Sequence, residues 1–195
     1  GSVRRNRPRG RLATSAVVLE ELIDAAHEHG IRVLFDVVHN HVHEDHVYCR
    51  ENPAWCAVTC TCGSPGCAWE GPEGKPLTCQ FAPYLPDLNY RNHAILKRQV
   101  QDTLKLAERF DVDGVELDFM RHPAFFRIEE GFANRHFMTS LVHDVRKRME
   151  AASVKHNRRL LLGVRVPPGI TDCNRIGIDI VSWIDENLVD IVVVG

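Results

Sequence analysis

The sequence has no apolar run approaching the roughly 20 residues that a membrane-spanning helix requires, and its first residues form no apolar core of the kind a secretion signal carries. Both absences point away from a bilayer partner. Net charge is also scarce: 24 Lys+Arg against 26 Asp+Glu leave a formal −2, too little for a global attraction to phosphate backbones. Arg4, Arg5, Arg7, Arg9 and Arg11 do crowd the start, but residues 1–13 read as a disordered basic tail rather than a nucleic-acid arm. No repeat or low-complexity segment is present, which excludes solenoids and propellers. What the chain does have is 44% hydrophobic residues over 195 positions, enough to bury the core of one domain or of a large part of one.

Cysteine is plentiful by contrast. Cys49, Cys56, Cys60, Cys62, Cys67 and Cys79 crowd one stretch, and Cys173 stands apart. An even cluster in a loop favours disulfides and an extracytoplasmic compartment. Cys60, Cys62 and Cys67 would also suit zinc, so a zinc-binding module stays open as a reading of that segment.

Leu19, Leu22, Ile23 and Ala26 follow the spacing of a helix that buries one face, and Gly30 stands where a helix-ending glycine belongs. The run Arg32 to Val38 then reads as a buried strand. From 40 to 90 periodicity gives way to Cys, Pro and Gly, predicting an inserted Cys-rich small domain. Asn92 is a candidate N-cap for a helix with Leu96, Val100, Leu104 and Ala107 inward. A strand from Val112 to Phe119 follows. Met138, Leu141, Val142, Val145 and Met149 mark the next helix, and Arg159 to Val166 the next strand. A short helix over Ile176 to Glu186 and a strand over Val189 to Val194 complete the reading.

Alternating helices and apolar strands imply an α/β fold with a parallel sheet. The expected architecture is a partial TIM (β/α)8 barrel of about four strands, formed by 14–39 and 91–195 around the insertion. A small doubly wound sheet is the competing arrangement. Since the last strand ends at Gly195 and half a barrel leaves two edges open, the chain is expected to be a fragment or half of an assembly.

In such folds chemistry sits where strands end. The first end reads Asp36-Val37-Val38-His39-Asn40-His41, and the long excursion after it closes on Leu85-Pro86-Asp87-Leu88-Asn89. The second reads Gly114-Val115-Glu116-Leu117-Asp118-Phe119-Met120-Arg121-His122. These segments resemble the α-amylase family over about residues 15–122. The family's first signature is Asp-Val-Val-x-Asn-His, its excursion closes on Leu-Pro-Asp-Leu-Asp/Asn, and its nucleophile signature is Gly-x-Arg-x-Asp-x-x-Lys-His. The later segment, with Gly163-Val164-Arg165-Val166-Pro167, is nearer to poorly characterised glycoside-hydrolase-like barrels.

The resemblance implies a glycosidase acting on an α-glucan or related oligosaccharide by a retaining mechanism, with Asp118 as nucleophile. It implies calcium held by Asn40 and Asp87, whose oxygen donors suit that ion. The plainer alternative makes both residues turn formers. It places His41 and His122 against the sugar, and Asp36, Arg121 and Arg165 are grouped with them as substrate-binding residues. His39, His41, His43 and His46 read alternatively as a metal cluster.

Two departures stand out. Glu116 occupies the place of the family's arginine, and no glutamate follows the third strand to serve as general acid. Residues two apart on a strand share a face, so Glu116 and Asp118 are expected together, with Glu116 either a catalytic acid or a structural carboxylate. A counter-charge is then needed, and an ion pair from Arg165 to Glu116, with its guanidinium also near Asp118, is predicted. A non-catalytic carbohydrate-binding or structural barrel fragment is the alternative function.

Overall fold

The computed structural model describes residues 11–43, 45–56, 88–121, 123, 125–126 and 130–195. Gly30, at φ +69°, ends helix α1 (Arg11–Glu28) in a left-handed turn that a side chain would strain. There the Gly30 N–H donates to the His27 carbonyl and the Ile31 N–H to the Ala26 carbonyl, each at 2.9 Å. This Schellman arrangement satisfies the helix's last carbonyls and turns the chain into strand β1 (Leu34–Val38). The helix begins at Arg11, inside the stretch read from sequence as a tail.

After β1 come the short helix α2 (Val47–Glu51) and a single 3-10 turn, Pro53–Trp55. The excursion starts and finishes side by side. Cys56 and Leu88 form an antiparallel bridge, the Leu88 N–H donates to the Asn40 carbonyl and the Asn89 N–H to the Trp55 carbonyl, both at 2.8 Å. The bulk of the Cys-rich segment lies outside the described residues.

Asn92 caps helix α3 (His93–Arg109) as predicted, its Oδ1 accepting from the Ala94 N–H at 3.0 Å. Strand β2 (Gly114–Asp118), helix α4 (Gly131–His156) and strand β3 (Leu161–Val166) follow in the expected order. The helix expected over 176–186 is confined to α6 (Ile180–Asp185), and a further helix that was not expected, α5 (Ile170–Ile176), precedes it. The break between the two has a local cause: Gly177 turns left-handed at φ +89°, and Asp179 then caps α6 by accepting from the Ser182 N–H. Strand β4 (Ile191–Val194) ends the order.

The four strands are parallel and lie in the order β1-β2-β3-β4. A doubly wound sheet would reverse its order at a switch point, and this one does not. Sequential parallel strands with helices between them are consistent with part of a TIM barrel. Val115, Leu117, Leu162, Val164 and Val166 turn one face of the sheet into the core, among Ile95, Val100 and Leu104 of α3 and Met138, Leu141, Val145 and Met149 of α4. Full burial of each such side chain contributes about 1.5–3 kcal/mol. Trp183 is fully buried with its indole N–H on Thr139 Oγ1 at 2.9 Å. Leu22, expected on the buried face of α1, is 62% exposed, while Ile23 is 1% exposed. Helix α1 precedes an edge strand, which leaves part of its apolar stripe uncovered.

The N-terminal ends of the strands are clamped by two aspartates. Asp113 accepts from the Val33 N–H at 2.8 Å, from Arg158 Nη1 at 2.6 Å and pairs with His27 Nε2 at 3.0 Å. Asp190 accepts from the Leu162 N–H at 2.8 Å and from the guanidinium groups of Arg146 and Arg159. Burial alone would raise both carboxyls, but these donors outweigh it and hold them below the usual aspartate value. The opposite ends of the strands are therefore free to carry other groups.

Candidate active site

Strand alternation and register decide which side chains meet at those ends. Asp36 of β1 is the register partner of Glu116 of β2, and Glu116 in turn faces Gly163 of β3. One step further, Val38, Asp118 and Arg165 form the next row. All lie on the face away from the helices. Asp36, Glu116, Asp118 and Arg165 thus share one surface at the C-terminal ends of three neighbouring strands.

Asp118 is 3% exposed. Its Oδ1 accepts from the backbone N–H groups of Met120 and Arg121 at 2.7 and 3.0 Å, which folds the following turn around it. Its Oδ2 lies 3.7 Å from Arg165 Nη1. Arg121, expected as a substrate contact through its side chain, contributes its N–H to this turn and exposes the side chain.

Of the two contacts predicted for Arg165, the approach to Asp118 is present and the ion pair with Glu116 is corrected by the register. Arg165 stands opposite Asp118, and among the described residues its ion pair is with Asp118 alone. Glu116 faces a glycine, whose missing side chain leaves it room: a Cβ on Gly163 would lie 3.5 Å from the Glu116 Cβ. Burial, then the charges of Asp36 and Asp118, push the Glu116 carboxyl above its ordinary value, with Arg165 opposing. Asp36 is raised by burial and then by Asp118, again against Arg165. Sequence reasoning placed Asp36 only as a sugar contact. The signal for its carboxylate role was present in the shared strand parity and needed the register to be read.

His41 does not join this group. It lines a separate cavity of about 220 Å³ with His39, His46, Tyr48, Gln99, Asp102 and others, none of them from the carboxylate cluster. His39 is buried with its Nε2 3.1 Å from Thr103 Oγ1 and its carbonyl accepting from Tyr90 and Gln99. His46 caps α2 through the Tyr48 N–H. Among the described residues no group of three or more His, Cys, Asp or Glu is arranged to hold a metal, so the histidine-cluster reading fails. Trp55 packs edge-on against Tyr48 with ring centres 5.4 Å apart. Asn40 is buried, while Asp87 and His122 lie outside the described residues.

Comparison with solved structures decides the kind of barrel. A cyclomaltodextrinase superposes with a TM-score of 0.56 at 19% identity, over 89% of this chain and 26% of that one. The α-amylase of Geobacillus thermoleovorans, solved with acarbose, gives 0.50 at 20% identity over 83% and 32%. The fold is α-amylase-like. An α-glucosidase of Culex pipiens is 28% identical to the α-amylase-like chain over 126 residues, 53% of this chain and 21% of the relative. The chain spans about a fifth of the length of the curated relatives it matches, 21% and 22%. No family model matches.

Proposed function

We propose that this chain is part of the catalytic barrel of a glycoside hydrolase that acts on α-glucans or related oligosaccharides, with Asp118 as the nucleophile of a retaining mechanism. The observation that carries the reading is the row of Asp36, Glu116, Asp118 and Arg165 at the strand ends of an α-amylase-like fold. Retaining glycoside hydrolysis uses paired carboxyl groups that flank the scissile bond, one of them with an oxygen free to attack as nucleophile. Asp118 meets the second condition: two backbone N–H groups fix Oδ1 and leave Oδ2, beside Arg165, for attack on the anomeric carbon. Asp36, Arg121, Arg165 and His122 would contact the sugar around it, while His41 faces the separate cavity beside it.

Calcium fits the residues at the root of the insertion. Asn40 supplies an amide oxygen and Asp87 a carboxylate, both hard donors, and Leu88, which follows Asp87 in the chain, donates its N–H to the Asn40 carbonyl. A bound ion would tie the excursion to the barrel. The cysteine cluster would brace the same segment by disulfides, in an extracytoplasmic compartment.

The test is Asp118→Asn in the protein, assayed on maltooligosaccharides. Hydrolysis should disappear with the melting curve preserved, and retained turnover would overturn the nucleophile assignment.

A further inference from the structure

The third strand carries no glutamate at the place where α-amylase-like barrels keep their general acid, and the candidate site must find its proton elsewhere. Among the described residues, three carboxyl groups share its surface with one guanidinium. The register allots that guanidinium to Asp118, since Arg165 is its partner on β3. It allots none to the row behind. Glu116 is flanked there by Gly163 on one side and by Asp36 on the other. Neighbouring parallel strands lie about 4.8 Å apart, so register pairing sets the Asp36 and Glu116 side chains next to each other on one face, near enough for their charges to interact. Two carboxylates that close cannot both be ionised without strong repulsion, and a single shared proton relieves it.

We propose that Asp36 and Glu116 hold one proton between them and act together as the acid of this site, with Arg165 reserved for Asp118. Among the described residues, the charged groups that face the pair are Asp118 on β2 and Arg165 on β3; the residues of β4 in line with them, Ile191 and Val193, carry no charge. Both members of the pair are displaced in the direction that a retained proton requires, through partial loss of solvent and then neighbouring carboxylate charge, with Glu116 half-buried and Asp36 open to solvent.

The inference rests on the hydrolase reading and completes its chemistry. The proton passes from the pair to the glycosidic oxygen as the C1–O bond breaks, while Asp118 Oδ2 bonds to C1. Water then cleaves that ester: its hydroxyl goes to C1, its proton returns to the pair, and Asp118 leaves as a carboxylate.

Two measurements test it. Carbon-13 NMR titration of the side-chain carboxyls needs no substrate. The Glu116 midpoint should lie above that of an ordinary glutamate, fall in Asp36→Asn and rise in Arg165→Met; a Glu116 midpoint unmoved by Asp36→Asn overturns the shared proton. The isosteric change Glu116→Gln supplies the second arm. It should cost about 10² to 10⁴-fold in turnover of maltooligosaccharides, and far less on an aryl glucoside whose acidic phenol leaves unaided. Equal losses on both substrates overturn the acid role. A wild-type protein that cleaves neither substrate but shows the coupled titration would remove the hydrolase reading and uphold the shared proton.

Discussion

Arg165 and Asp118 are register partners on adjacent parallel strands, and the guanidinium Nη1 of one stands 3.7 Å from the Oδ2 of the other. Asp118 is enclosed while the Arg165 side chain is 44% exposed, so the pair is half in solvent and its net worth modest. In a double-mutant cycle, Arg165→Leu and Asp118→Asn should couple by about 1 kcal/mol. Arg165→Leu with Glu116→Gln should couple more weakly, because Glu116 lies one row behind. Urea unfolding measures both, and a stronger coupling to Glu116 would contradict the register.

Glu116 should cost the protein stability at neutral pH. Its folded pKa is raised by burial, then by Asp36 and Asp118. A carboxyl of that kind contributes stability that is present below its unfolded pKa and is lost as pH rises through the folded one. Glu116→Gln should therefore raise the melting temperature at pH 7 and leave it almost unchanged near pH 4. Equal melting at both values would mean that the repulsion is absent.

His39 sets an opposite trend on the acid side. Burial drives its pKa down to about 4, against a smaller upward pull from Gln99. The unfolded chain then takes up a proton first as pH falls, so stability is intact above about 6.5 and declines until about 4. The loss is on the order of 3 kcal/mol. His39→Gln removes the titrating group and should flatten the fall in melting temperature between pH 7 and 4.5; parallel slopes in the two proteins would exclude His39 as its source.

Two glycines of the sheet should respond differently to alanine. A Cβ on Gly114 would overlap the Leu161 carbonyl, a backbone atom that cannot step aside. Gly114→Ala should cost about 3 kcal/mol or more. A Cβ on Gly163 meets Glu116 Cβ at 3.5 Å, an ordinary contact, and Gly163→Ala should stay within about 1 kcal/mol. Chemical denaturation of both variants decides the comparison, and the reverse ranking would refute the close approach of β2 and β3.

Calcium, if held by Asn40 and Asp87, should stabilise by mass action. A chelator is expected to lower the melting temperature and added calcium to restore it. Asp87→Ala should abolish the response, and a melting curve indifferent to chelator would leave the two residues as turn formers.

The elements were legible where one local rule governs them. Gly30 and Asn92 announce a helix end and a helix start, and the apolar spacing of α4 places its buried residues without help from neighbours. Leu22 was misread because its spacing is right but its neighbours are missing, and spacing says nothing of what lies opposite. The start of α6 was readable in Gly177 and Asp179 but was placed too early because Ile176 and Ile178 continue the apolar pattern, and the short α5 before it was missed. At the site, strand parity put Glu116 beside Asp118 correctly. The choice between Glu116 and Asp118 as the partner of Arg165 depends on a shift of two residues in register, which no single strand encodes.

The aspartate clamps at the other end of the strands bear on how such a site can change. Asp113 and Asp190 secure the entries to β2 and β4 through backbone N–H groups and arginine contacts, several residues before Glu116 or the chain end. Strength is thus anchored at one pole of the sheet and reactivity displayed at the other. Substitutions at positions 116 or 165 can then change the charge of the site and leave the scaffold's fastening untouched. New chemistry can be tried at Glu116, Asp118 and Arg165 on a frame whose integrity is decided elsewhere.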